Sequence, residues 1–257
     1  MNIKERVSIH FTELTKTDRK IVSQLFTNPN ILINQSIQKA SEELEVSSAA
    51  IMRTVKKLDY RGLAEFKLAL EEMNQEEVTP VTTQSAMHSV VATYQQMLTI
   101  LENTLDEQQI IRIARDLSTY ARVKILGLGS SGLPAEQLVY SLLYQDEYVE
   151  SVTSRTKIYY LSRSLTAETC LIVYSVSGNL DFYQELFEQA KQKQAKVILI
   201  TMNREEHLQQ FVDEVVLLPS NVTNFSDKNG LRQLDNRFVF YVFSEILATY
   251  FDQSNEK

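Results

Sequence analysis

The chain predicts two domains, an all-α N-terminal module followed by an α/β domain with a doubly wound parallel sheet. Three observations carry that prediction. Its 257 residues exceed the usual size of one compact unit. Residues 17–70 read as a run of short capped helices, and beyond residue 120 short apolar runs alternate with helical patterns. We expect a helical module over residues 1–76, a linker over 77–86 and the α/β domain over 87–257.

Taken in order, Thr17, Ser36 and Ser47 each stand before an apolar-periodic stretch, as N-caps do, and Pro29 separates the first helix from the second. The segment from Glu71 to Gln84 is acidic and polar, holds a proline and has few large apolar side chains, so the linker is placed there. Ser89 to Leu105 repeats apolar residues at helical spacing, and Asp106 caps a second helix from Gln108 to Leu117. VKILGLG (123–129), TCLIVYSV (169–176), KVILITM (196–202) and EVVLLP (214–219) have the composition of strands covered on both faces. Leu231 to Phe251 closes the chain as an aromatic-rich helix.

Composition narrows the function. No apolar run approaches the roughly 20 residues of a membrane span, and the N-terminus lacks the features of a secretion signal, so a soluble cytoplasmic protein is expected. The single cysteine, Cys170, excludes an internal disulfide and a thiolate zinc site. His10, His88 and His207 are scattered without metal-ligand spacing, and no cofactor motif is present. The net charge of −7 conceals an asymmetry. Residues 1–70 hold 11 Lys and Arg against 8 Asp and Glu, whereas the remainder holds 15 against 25. The basic excess therefore lies at the N-terminus.

Within that basic region, Ser36 to Leu58 has the layout of a helix-turn-helix. Ala40 allows a close crossing, and Leu44, Val46, Ile51 and Val55 supply its contacts. Ser47 caps a second helix that presents Ser48, Ala49, Met52, Arg53 and Lys56 where base edges are read in a major groove. Lys57, Arg61 and Lys67 are the candidates for phosphate contacts. Glu45 stands at a turn position that calls for left-handed backbone. A helical pair packed on another element, with a solvated basic face, satisfies the same pattern.

The second constellation follows two strands. Gly127 to Gly132 (GLGSSG) offers glycines and serine hydroxyls where a helix begins, and Ser175 to Asn179 (SVSGN) repeats the arrangement. Gly129, Ser130, Ser131, Glu136, Ser175, Ser177, Gly178 and Asn179 are the candidate anion-binding residues. Either turn alone is also an ordinary tight βα connection. As a pair at the ends of neighbouring strands they would open on one crevice.

LTKTDRKIVSQLFTNP (14–29), the stretch from Ser36 to Leu70, ILGLGSSGLPAEQL (125–138), YSVSGN followed by AKVILITM, and DNRFVFYVFSEIL together resemble the RpiR/MurR-type bacterial regulators. Those proteins join an N-terminal helix-turn-helix domain to a sugar isomerase (SIS) domain. The resemblance implies operator DNA and a sugar-phosphate effector as partners, a homodimer or larger even assembly, control of carbohydrate genes and no catalysis. It also aligns Arg237 and Glu245 with functional positions of the last helix. The chain departs from the pattern SxSGxT at Leu180, where the family has Thr. A SIS-fold isomerase with a helical appendage is the alternative, with Glu136 and Glu245 as its candidate bases.

Overall fold

A computed structural model describes residues 1–75, 86–178, 180–220, 224–227 and 230–255. The expected linker, 77–86, falls outside the described residues apart from Ala86, and so does Asn179. Two compact units emerge, Met1–Thr93 with Ser220–Asp235, and Tyr94–Pro219 with Asn236–Lys257.

The first unit contains α1 (Ile3–His10), α2 (Lys16–Thr27), α3 (Asn30–Ile33), α4 (Ile37–Glu43), α5 (Ser48–Lys57) and α6 (Leu63–Gln75). Its core gathers one face from each helix, including Val7, Ile21, Leu25, Leu32, Ala40, Leu44, Ile51, Val55, Phe66 and Leu70. A hairpin of β6 (Asn224–Asp227) and β7 (Gly230–Gln233) belongs to this unit, and the Gln233 side chain donates to the Ser8 carbonyl at 3.1 Å.

Thr15, not Thr17, caps α2. Its hydroxyl accepts from the Asp18 amide while the Asp18 carboxylate accepts from the Thr15 amide at 2.8 Å, forming a reciprocal capping box that Thr17 has no partner to form. Ser36 and Ser47 cap α4 and α5 as expected. Asp18 then does more than cap. With its side chain only 6% exposed, it accepts from Thr54 Oγ1 at 2.8 Å and from Lys57 Nζ at 2.5 Å, which ties α2 to α5. Arg6 fastens α1 to the same place, donating to the Asp59 carbonyl at 2.8 Å with its guanidinium over the Tyr60 ring.

The second unit holds α8 (Glu107–Thr119), β1 (Arg122–Gly127), α9 (Gly132–Leu143), β2 (Glu150–Val152), α10 (Arg155–Leu161), β3 (Thr169–Tyr174), α11 (Leu180–Lys193), β4 (Lys196–Thr201), β5 (Glu214–Leu217) and α12 (Phe238–Asn255). The unit boundary falls within α7 (Ala86–Thr104). All five strands pair in parallel in the order β2-β1-β3-β4-β5. β3 is buried at every position, as its continuous apolar run requires. Cys170 lies within it, and burial pushes its thiol up to about 12. The short edge strand β2 and the hairpin carry too little apolar periodicity to be visible in the sequence.

The last helix begins at Phe238 rather than near Leu231, because Gly230–Gln233 is drawn into pairing with β6. Some of its aromatics face inward, while Phe238, Tyr241 and Tyr250 are half-buried. Phe240, Phe243 and Phe251 are buried, and α12 packs against α8 and α9.

Asp18 yields a prediction. Burial would raise its pKa, but the Lys57 and Thr15 hydrogen bonds, with that of Thr54, outweigh it and bring the value from 3.8 down to about 2. A depressed folded-state pKa stabilises the fold fully above about pH 4, by about 2 kcal/mol, and that stabilisation disappears as the pH falls toward 2. Asp18→Asn should lose about this much at pH 7 and be less sensitive to acid between pH 4 and 2. Urea unfolding read by hydrogen exchange in α2 and α5 checks it; parallel acid curves for variant and wild type would refute it.

Candidate effector crevice and nucleic-acid face

The crevice is set by where two strands stop. β1 and β3 are neighbours, and their last residues, Gly127 and Tyr174, are paired in register. The chain leaves β1 toward β2 on one side and leaves β3 toward β4 on the other, so the strand order reverses between them. At such a switch point the two following connections part and leave an opening at the carboxyl ends of the strands. Strand spacing places the start of the two serine turns only about 4.8 Å apart.

Glycines make the first turn possible. A Cβ on Gly127 would lie 2.2 Å from the Ser131 carbonyl oxygen, and one on Gly132 would lie 2.9 Å from the Gly127 oxygen. The backbone thus doubles back on itself where no side chain fits. Gly129 has φ +55° and open space around it. Ser130 is exposed at the rim, Ser131 is buried, and α9 starts at once. Glu136 lies one turn into α9 and accepts from Thr153 Oγ1, the first residue after β2, at 3.5 Å.

The second turn is braced from β4. The Ser175 amide donates to the Ile200 carbonyl at 3.0 Å, Thr201 Oγ1 donates to the Val176 carbonyl at 3.1 Å, and Asn203 Nδ2 donates to the Ser177 carbonyl at 2.9 Å. Gly178, at φ +64°, sits against Leu208, where a Cβ would meet the leucine methyl at 2.9 Å. Sequence reasoning overlooked Thr201 and Asn203. Their signal was present: two polar residues at the carboxyl end of an otherwise apolar strand. Leu180 opens α11 with its side chain packed toward the core, in the place where the resemblance expects a threonine hydroxyl.

Of the remaining expected residues, Glu245 accepts from Gln137 Nε2 and Ser141 Oγ, in the second and third turns of α9. This binds α12 to α9.

In the first unit, α4 ends in a Schellman motif. The Val46 amide donates to the Ser41 carbonyl and the Glu45 amide to the Glu42 carbonyl, with Glu45 in the expected left-handed conformation at φ 53°. Ala40, Leu44, Ile51 and Val55 are buried at the crossing of α4 and α5. Ala49, Arg53, Lys56 and Arg61 are exposed, while Ser48 and Met52 are half-buried. Ser47 spends its hydroxyl on the cap, and Ser48 Oγ donates to Ser41 Oγ.

The lysines expected on the base-reading face and at phosphates already have partners within the chain. Lys57 pairs with Asp18, Lys56 Nζ donates to the Arg61 carbonyl at 2.6 Å, and Lys67 Nζ donates to the Gln35 carbonyl at 2.7 Å. Lys56 and Arg61 remain solvent-facing, whereas Lys57 is part of the fold's own framework.

Residues 1–77 match the family model for the helix-turn-helix domain of the rpiR family, and residues 116–231 match the SIS domain. The chain belongs to the RpiR-type transcription regulators. An uncharacterized HTH-type transcriptional regulator of Clostridium perfringens is 24% identical, covering 100% of this chain and 96% of its own length. One from Haemophilus influenzae is 23% identical over 84% of this chain and 79% of its own. Among solved structures, the Vibrio vulnificus NanR protein complexed with ManNAc-6P superposes with a TM-score of 0.60 at 14% identity, covering 99% of this chain and 93% of that one. The RpiR-type architecture therefore accounts for both units in their order along the chain.

Glycine positions in this RpiR-type crevice separate steric need from backbone strain. Gly127→Ala should destabilise the second unit by at least about 3 kcal/mol, because a backbone carbonyl blocks the new methyl. Gly129→Ala should cost only the left-handed strain, about 1–2 kcal/mol. Chemical unfolding of the two variants tests the contrast, and equal losses would contradict it.

Proposed function

We propose that the chain is a DNA-binding transcription regulator of carbohydrate genes whose operator affinity is set by a sugar phosphate held between the two serine turns. The observation that carries this reading is the level ending of β1 and β3 at the switch point. It brings Ser130 and Ser131 beside Ser175 and Ser177 at the starts of α9 and α11. Serine hydroxyls and helix-terminal amides suit a phosphate dianion. Gly129 and Gly178 supply the left-handed backbone of the turns, and Glu136 is available to a sugar hydroxyl; Asn179, outside the described residues, is the further candidate of the second turn.

On the DNA side, Ala49, Met52 and Arg53 read base edges, assisted by Ser48. Ser47 contributes its position at the start of α5. Lys56, Arg61 and Lys67 meet phosphates, and Lys57 positions α5 through Asp18. The regulator acts as a homodimer or larger even assembly in the cytoplasm, and ligand binding couples to DNA affinity by about 1–3 kcal/mol.

Catalysis is disfavoured by the setting of the acids. Glu245 is occupied by Gln137 and Ser141, and no histidine lies within the two serine turns.

Two measurements test the proposal. In fluorescence anisotropy with the native promoter, Arg53→Ala should lose about 1–3 kcal/mol of discrimination against unrelated DNA with folding intact. An unchanged specificity ratio would refute the assignment of Arg53. In a thermal-shift panel of pentose and hexose phosphates, one compound should raise the melting temperature of the second unit, and Ser177→Ala should abolish that rise while leaving the apo transition in place. A full response from Ser177→Ala would refute the phosphate site.

A further inference from the structure

α10 and the turn after it carry a surface that the effector crevice does not use. Residues 151–167 hold three of the 15 Lys and Arg beyond residue 70, namely Arg155, Lys157 and Arg163, and none of the 25 Asp and Glu. In a region that is otherwise strongly acidic, this stretch is a local cationic patch. All three cations are exposed, and no acid among the described residues forms an ion pair with any of them.

Aromatic rings hold two of these cations in place. The Arg163 guanidinium lies 4.6 Å from the centre of the Tyr159 ring and 5.8 Å from that of Tyr160, and it donates to the Tyr159 hydroxyl. The two rings meet edge to face at 5.3 Å, and they are 46% and 61% exposed. Arg155 lies 4.9 Å from the centre of the Phe182 ring of α11. A guanidinium carries five donors, so Arg163 retains several for an incoming acceptor. Arg and Tyr side chains already held by stacking lose little freedom on binding, and these two types dominate interface affinity.

Between α10 and α11 runs a groove of about 90 Å³. Ile158 and Leu186 form its buried floor, Phe182 is half-buried beside them, and Arg155, Tyr159 and Glu185 stand exposed at its edges. Ser162, which also lines it, spends its hydroxyl on the Tyr159 carbonyl at 2.7 Å. Since a cavity of about 150 Å³ takes a benzene ring, this groove suits a single aliphatic side chain.

We propose that this groove docks an acidic peptide segment of another protein, with one aliphatic side chain in the slot and carboxylates on Arg155 and Arg163. Charge selects that occupant. The α10 edge is cationic, whereas the α11 edge carries the exposed acids Asp181 and Glu185. A single-stranded nucleic acid brings a negative charge with every nucleotide, and the α11 edge repels it. A short peptide places its few carboxylates on the α10 side alone and offers a backbone amide to Glu185. The docking uses neither the serine turns nor α5, so it stands apart from the effector and DNA assignments.

Selection of short random peptides displayed on phage against the full chain tests this, followed by fluorescence anisotropy of the selected peptides. Peptides in which Asp and Glu flank one aliphatic residue should be enriched, and their binding should weaken as salt is added. Arg163→Glu should weaken them at least about tenfold, and Tyr159→Ala should do the same. Lys193→Glu, the same charge change at the exposed end of α11, and Arg53→Glu, on α5, should leave their affinity within about twofold of wild type. All four sites are exposed, so unchanged circular dichroism is expected of each variant. Absence of enrichment, enrichment of peptides without acids, or full binding by Arg163→Glu would overturn the docking site. A single-stranded oligonucleotide that binds more tightly than the peptides, and loses that binding in Arg163→Glu, would overturn the choice of a peptide.

Discussion

The close approach of backbone to backbone after β1 is the constraint on which the regulatory half of the molecule depends. Gly127 and the Ser131 carbonyl leave no room for a side chain, so the chain must turn back immediately and start α9 at Gly132. That turn puts Ser130 and Ser131 at the mouth of the sheet and aims the first amides of α9 at the same space. It also fixes which faces of α9 point inward and outward. One steric contact thus determines both the first serine turn and the setting of α9.

Comparable economy appears in the helical unit. The Asp18 carboxylate closes the capping box of α2, accepts from Thr54 and holds Lys57. A buried carboxylate would be costly without such partners, and satisfying it joins the elements whose crossing presents the DNA-reading face. Lys57 illustrates how position changes a residue's task. On the sequence it is one of several basic residues at and beyond the end of a candidate recognition helix, whereas in the fold it neutralises a buried acid three helices earlier.

Four helices, α4, α5, α9 and α11, end with a left-handed residue that is not glycine: Glu45, Asp59, Asp146 and Gln194. In each case the next amide reaches back to close a Schellman motif. The chain has only six glycines and places several of them where backbone must approach backbone or adopt a positive φ. Helix ends held by side-chain-bearing residues carry roughly 1 kcal/mol of strain each, and beyond three of the four turns a packed apolar residue, Val46, Tyr60 or Ala195, offsets it.

Much of this protein was determined locally. Continuous apolar runs marked four of the five strands of the parallel sheet, cap residues marked α4, α5 and α8, and paired Gly-Ser stretches marked the turns that follow β1 and β3, because each signal needs only residues close in sequence. Tertiary structure decided what depends on distant partners. Thr15 rather than Thr17 caps α2 because of the reciprocal box with Asp18, and Thr201 and Asn203 matter because β4 lies beside β3. The 230–233 segment joins a strand because β6 is there to pair with it. The groove between α10 and α11 was hidden for the same reason: Arg155 and Phe182 lie far apart in sequence, and only the packing of the two helices side by side brings them together.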